Sequence, residues 1–176
     1  DFRIIASGLT ALIATWFYLF GLAQVYVALK PTKPILRTII LICFGAIFTA
    51  YGVIHGAYVA IATSAKLATR YNFDLNDAVH LAAETNNIMR LIIYPIFAVL
   101  SVLFIAQVWK KNTLYPRWII FFFPLLPFVV RDLVCASLSG ATKTVVCGGY
   151  LNLILVVFFT ASTIALWNIK KDAVQS

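Results

Sequence analysis

Residues 118–139 read WIIFFFPLLPFVVRDLVCASLS, and the charged pair Arg131-Asp132 inside them decides how the rest of the chain is organised. Without that pair the stretch is uncharged and long enough to cross a bilayer core, which takes roughly 20 apolar residues. An ionisable side chain inside a span costs about 3 kcal/mol on insertion scales, and normally faces a bundle interior or a wet cavity. Adjacent opposite charges imply that each finds a partner, on its neighbour or on a facing helix. The expectation is a helix bundle built around a buried polar spot.

Composition agrees. Of 176 residues, 62% are hydrophobic and 11% charged, far from the mix of a soluble globular domain. The predicted fold is an all-α, polytopic transmembrane bundle. It forms one transmembrane domain over residues 1–176, with five spans at about 4–29, 38–63, 88–109, 118–139 and 144–169. Lys30-Pro-Thr-Lys33-Pro34 closes the first span, and Lys110-Lys111-Asn112 with Pro116-Arg117 makes the turn before the fourth. Gly52 and Gly56, four apart in span two, offer a small-residue face for a neighbouring helix. Residues 64–87 form the one sizeable polar segment. Asn72 and Asp74 are N-cap candidates there, ahead of a short amphipathic helix carrying Asp77, His80 and Glu84.

The net charge of +8 invites a nucleic-acid reading, but the cations sit at the ends of apolar runs and form no continuous stripe. Membrane lipids are the expected partners, and nucleic acid is not. Segments 30–37, 110–117 and 170–171 hold Lys30, Lys33, Arg37, Lys110, Lys111, Arg117, Lys170 and Lys171. The other side holds Arg3, Lys66, Arg70, Arg90 and Lys143, shared with Asp1, Asp74, Asp77 and Glu84. Cation-rich turns stay in the cytoplasm. The first residue is therefore predicted outside and the C-terminus in the cytoplasm, in a plasma or inner membrane. Trp109, Trp118 and Trp167 then fall at the cytoplasmic ends of their spans, as an interfacial belt.

Depth arithmetic gathers the polar residues. At about 1.5 Å per residue, Arg131 lies roughly 20 Å from the inner end of span four, and His55 roughly 27 Å along span two. Cys147 and Asn152 occupy the outer third of span five. His55, Arg131, Asp132, Cys135, Cys147 and Asn152 are thus expected at one depth, lining an outer-leaflet cavity with the His80/Glu84 turn above it. The first expectation is a non-enzymatic site for a lipid or small amphipathic ligand, with Arg131 and Asp132 as polar contacts and His55 and Asn152 lining it. Another membrane protein, or a second copy of the chain, is the alternative cover for Arg131.

The enzymatic alternative is a zinc-dependent hydrolase using His55, His80, Glu84 and Asp132 to activate water. No paired-His spacing supports it, so no metal or cofactor is expected. A small transporter ranks third, since the chain shows no repeated half with matching broken spans. Cys135 and Cys147 flank an outer connection where oxidation is permitted, which makes them the disulfide candidate. Cys43 lies towards the cytoplasmic side and reads as inert.

Gly21-Leu-Ala-Gln24-Val-Tyr26 before a basic-Pro turn, His55-Gly56, and Gly148-Gly149-Tyr-Leu-Asn152-Leu153 resemble an uncharacterised family of bacterial multi-span membrane proteins. The resemblance covers most of the chain and implies an additional span ahead of Asp1, making six. It implies architecture and no activity.

Overall fold

The computed structural model describes the backbone of residues 2–175 and the side chains of residues 2–167. Among the described residues eight helices follow one another: α1 Phe2–Ala28, α2 Pro34–Tyr71, α3 Leu75–Trp109, α4 Ile119–Phe122, α5 Leu125–Val129, α6 Arg131–Ser137, α7 Gly140–Gly148 and α8 Tyr150–Gln175. Among the described residues there is no strand. Phe2–Ala28, Pro34–Tyr71, Leu75–Trp109 and Tyr150–Trp167 are long and apolar enough to cross a membrane.

The long helices start and stop for local reasons. Pro34 opens α2 at the first helical position, where its missing N–H costs no hydrogen bond. At the other end Asn72 takes a left-handed φ of 55°. The Phe73 N–H then reaches back to the Ala68 carbonyl at 3.0 Å, closing the helix as a Schellman turn. Asp74 caps α3, its Oδ1 accepting the Asp77 N–H at 3.0 Å. The α3 terminus repeats the device: Lys111 has φ 57°, and the Asn112 N–H bonds the Gln107 carbonyl at 3.0 Å.

Two expectations are corrected. Residues 64–87 form no separate amphipathic helix. Their first part completes α2 and their last part opens α3, with only residues 72–74 between. Nor is 118–139 one continuous helix: it holds three short helices, so among the described residues four helices are long and apolar enough to cross a membrane unbroken. The cause is Pro124. A residue before proline is pushed out of the helical region, and Phe123 is extended at φ −65°, ψ 139°. Leu138, at φ −102°, ψ 152°, ends α6. The predicted span 144–169 is likewise divided at Gly149, with α7 before it and α8 after.

The chain forms two compact units. Residues 1–20 and 42–100 make the first, and 21–41 with 101–176 the second. In the first unit Tyr18 packs edge-on against Tyr51, with centroids 5.9 Å apart, and tilted against Phe48 at 5.5 Å. A Cβ at Gly52 would stand 3.0 Å from Thr15 Oγ1, so the small-residue face is used at this position. Among the described residues nothing lies within 4 Å of a Cβ at Gly56. The second unit is centred on Phe104, Phe123 and Phe158. Phe104 stacks on Phe123 at 4.5 Å, and Phe158 meets both edge-on at 5.9 Å. Such aromatic pairs add roughly 0.5–1.5 kcal/mol beyond the area they bury.

Candidate functional site

Tyr150, the first residue of α8, donates its hydroxyl to the Pro127 carbonyl at 3.1 Å. That bond sets Pro127 level with the start of α8. Arg131 follows one turn later, at the first position of α6. Its Nη1 donates to Asp132 Oδ1 at 3.0 Å. The Asp132 side chain is 91% exposed and that of Arg131 39%. The expectation of a pair buried inside a straight span is corrected. The extended break at Phe123 invalidates a depth counted at helical rise. Val129, Val130 and Leu133 beside the pair are exposed as well.

Asn152, half-buried on the first turn of α8, belongs to the same unit. Cys135 of α6 and Cys147 of α7 pair as a disulfide, their Cα atoms 5.8 Å apart, which ties the two short helices into a closed hairpin. Among the described residues the one free cysteine is the buried Cys43.

His55 belongs to the first unit, half-buried on α2. Its ring lies 5.1 Å from that of Tyr51 and 6.0 Å, edge-on, from that of Tyr58. Asn86, only 2% exposed, donates from Nδ2 to the Ile54 carbonyl at 3.1 Å. Arg90 Nη1 reaches the Tyr58 hydroxyl at 3.5 Å. His80 and Glu84 stand one turn apart on α3, 3.9 Å between Nδ1 and Oε2, both open to the surroundings. Among the described residues, no three His, Cys, Asp or Glu side chains are grouped to hold a metal ion.

Sequence reasoning missed a polar seam at the cation-rich end of the second unit. Thr32 Oγ1 donates to the Asn112 carbonyl at 2.7 Å, and the Leu114 N–H donates to the Ala28 carbonyl at 2.7 Å. The α1–α2 turn is thereby fastened to the segment after α3. Asn112 Nδ2 adds a bond to Gln107 Oε1 at 3.1 Å. Below it the Tyr115 and Ser162 hydroxyls share a hydrogen bond of 2.7 Å, both side chains buried. Burial pushes the Tyr115 phenol up to about 12, with the Ser162 bond pulling weakly the other way. The available signal was a hydroxyl, Ser162, in the middle of an apolar helix. Its partner lies 47 residues away, which no local pattern reveals.

A model described as a family of unknown function, DUF6796, matches residues 1–172. The chain belongs to this family. DUF6796 carries no assigned activity, in line with the resemblance read from Gly21–Tyr26 and Gly148–Leu153. Neither a curated protein nor a solved structure matches the chain.

Proposed function

We propose that the chain is a multi-span membrane protein that engages the headgroup of a lipid, or a small amphipathic ligand, through Arg131 at its outer surface. Connectivity supports the membrane path. Helix α1 runs towards the cation-rich turns, α2 away from them, α3 back, α4–α6 away and α8 back. That gives five crossings, four by continuous helices and one by a broken segment. Lys30, Lys33, Arg37, Lys110, Lys111 and Arg117 all fall at one end, the cytoplasmic one by the distribution of cations. The Cys135–Cys147 pair falls at the other, where oxidation is permitted.

The observation that carries the site is the ion pair itself. Arg131 lies one turn beyond the Tyr150–Pro127 bond, held among the described residues by Asp132, with exposed Val129, Val130 and Leu133 around it. On this path the level is that of the headgroups. A guanidinium there presents a planar set of donors to a phosphate or carboxylate, while the neighbouring apolar side chains accept acyl chain. Asp132 fixes the fork, and Asn152 offers an amide from the adjoining turn of α8. The ligand class remains the one the sequence indicated; its place moves from a buried cavity to the rim.

Native mass spectrometry of the protein extracted in mild detergent tests the reading. Retained lipid that is lost in Arg131→Ala, but kept in Lys143→Gln, is the expected result. Identical retention in wild type and Arg131→Ala would remove Arg131 from any binding role.

A further inference from the structure

The cation-rich end of the second unit carries more than topology needs, because its two turns are fastened into one surface. No Asp or Glu occurs between Asp1 and Asp74, or between Glu84 and Asp132. Lys30, Lys33, Arg37, Lys110, Lys111 and Arg117 therefore have no carboxylate within either turn. Two arginines are committed to the fold. Arg37 lies over the Tyr26 ring at 5.1 Å and bonds the Lys30 carbonyl at 3.4 Å. Arg117 lies over the Trp109 ring at 5.1 Å, and its Nε bonds the Trp109 carbonyl at 3.1 Å. Four exposed lysines remain, two from each turn.

The Thr32–Asn112 and Leu114–Ala28 bonds hold these pairs in fixed relation. Asn112 follows Lys111 directly, and Thr32 stands between Lys30 and Lys33. The left-handed turn at Lys111 is part of the same closure. Around the lysines, Tyr26, Trp109 and Trp118 are exposed, the residue types that settle at the boundary between acyl chains and headgroups.

We infer that the two turns, joined through Thr32 and Asn112, form one binding surface for the phosphate headgroups of anionic phospholipids, gripped by Lys30, Lys33, Lys110 and Lys111. Charge complementarity selects an anion, and the aromatic collar selects a bilayer over a soluble polyanion. The inference rests on membrane embedding but not on Arg131, which lies at the opposite end.

The test reconstitutes the full chain into bilayers of equal phosphatidylcholine and phosphatidylglycerol, extracts it gently, and measures the ratio of the two lipids retained. Wild type is expected to enrich phosphatidylglycerol. A Lys30→Gln, Lys33→Gln, Lys110→Gln, Lys111→Gln variant loses that enrichment, by about fivefold for each effective lysine. Thr32→Val, which keeps every charge but releases the seam, lowers it too; Lys143→Gln leaves it intact. Helical circular dichroism and monodisperse elution identify which variants are folded. Equal retention of both lipids by wild type would overturn the inference, as would undiminished enrichment in the quadruple variant or in Thr32→Val. Displacement of the phosphatidylglycerol by inorganic phosphate would overturn it as well, by pointing to a soluble anion.

Discussion

Tyr115 shows how a single polar contact is used inside an apolar unit. The residue is 3% exposed, and among the described side chains its hydroxyl bonds that of Ser162 at 2.7 Å. Tyr115→Phe removes one partner of a buried bond and leaves the Ser162 hydroxyl unpaired, so a loss of about 1–2 kcal/mol is expected in thermal unfolding. The alkaline limb gives a second reading of the same group. An unfolded tyrosine loses its proton near 10.0, whereas folded Tyr115 holds its proton to about 12. Stability therefore falls as pH rises between those values, and Tyr115→Phe removes that part of the fall. Gly21 makes a different use of a small residue. A Cβ there would lie 2.5 Å from the Phe159 ring, while one at Gly56 meets nothing within 4 Å. Gly21→Ala is expected to destabilise, and Gly56→Ala to be neutral or to gain up to about 1 kcal/mol of helix propensity. Equal melting temperatures for the two variants would contradict this packing.

At the scale of elements, the ends of helices were readable and the interior of one was not. The Lys30-Pro31 stop, the Pro34 start and the Asp74 cap are local events, and each residue states its own geometry. Asn72→Val should cost about 1–2 kcal/mol, since a β-branched residue resists the left-handed turn that Asn accepts and Gly would take freely. The break at Phe123 was also local, because Pro124 and Pro127 stand in plain view. Hydropathy, however, registers composition and not backbone continuity, so 118–139 reads as one unbroken helix. Every depth counted along it carries the same error, which is why Arg131 and Asp132 are expected inside and the structure leaves the pair open to the surroundings. The Cys135–Cys147 pairing was legible because its partners flank one short connection. Thiol labelling of denatured, unreduced protein should find one reactive cysteine, Cys43, of the three in the sequence, and all three after reduction. Three thiols without reductant would remove the hairpin closure.

For the whole molecule, composition carried the all-helical, apolar class, while the links between distant segments lay outside what a sequence displays. Thr32 and Asn112 are 80 residues apart, and nothing near either names the other. The polar seam, the aromatic centre of Phe104, Phe123 and Phe158, and the division of the chain into two units all appear only once the helices are folded back. The membrane path proposed above has one strong consequence: on it, the turn holding Lys33 and the turn near Asn76 open on opposite faces of the membrane. Single cysteines at these two positions, in a background with the native cysteines replaced by serine, can be probed on intact cells with a membrane-impermeant maleimide. The account predicts labelling at Asn76→Cys and protection of Lys33→Cys until the membrane is permeabilised; labelling of both positions on intact cells would contradict it.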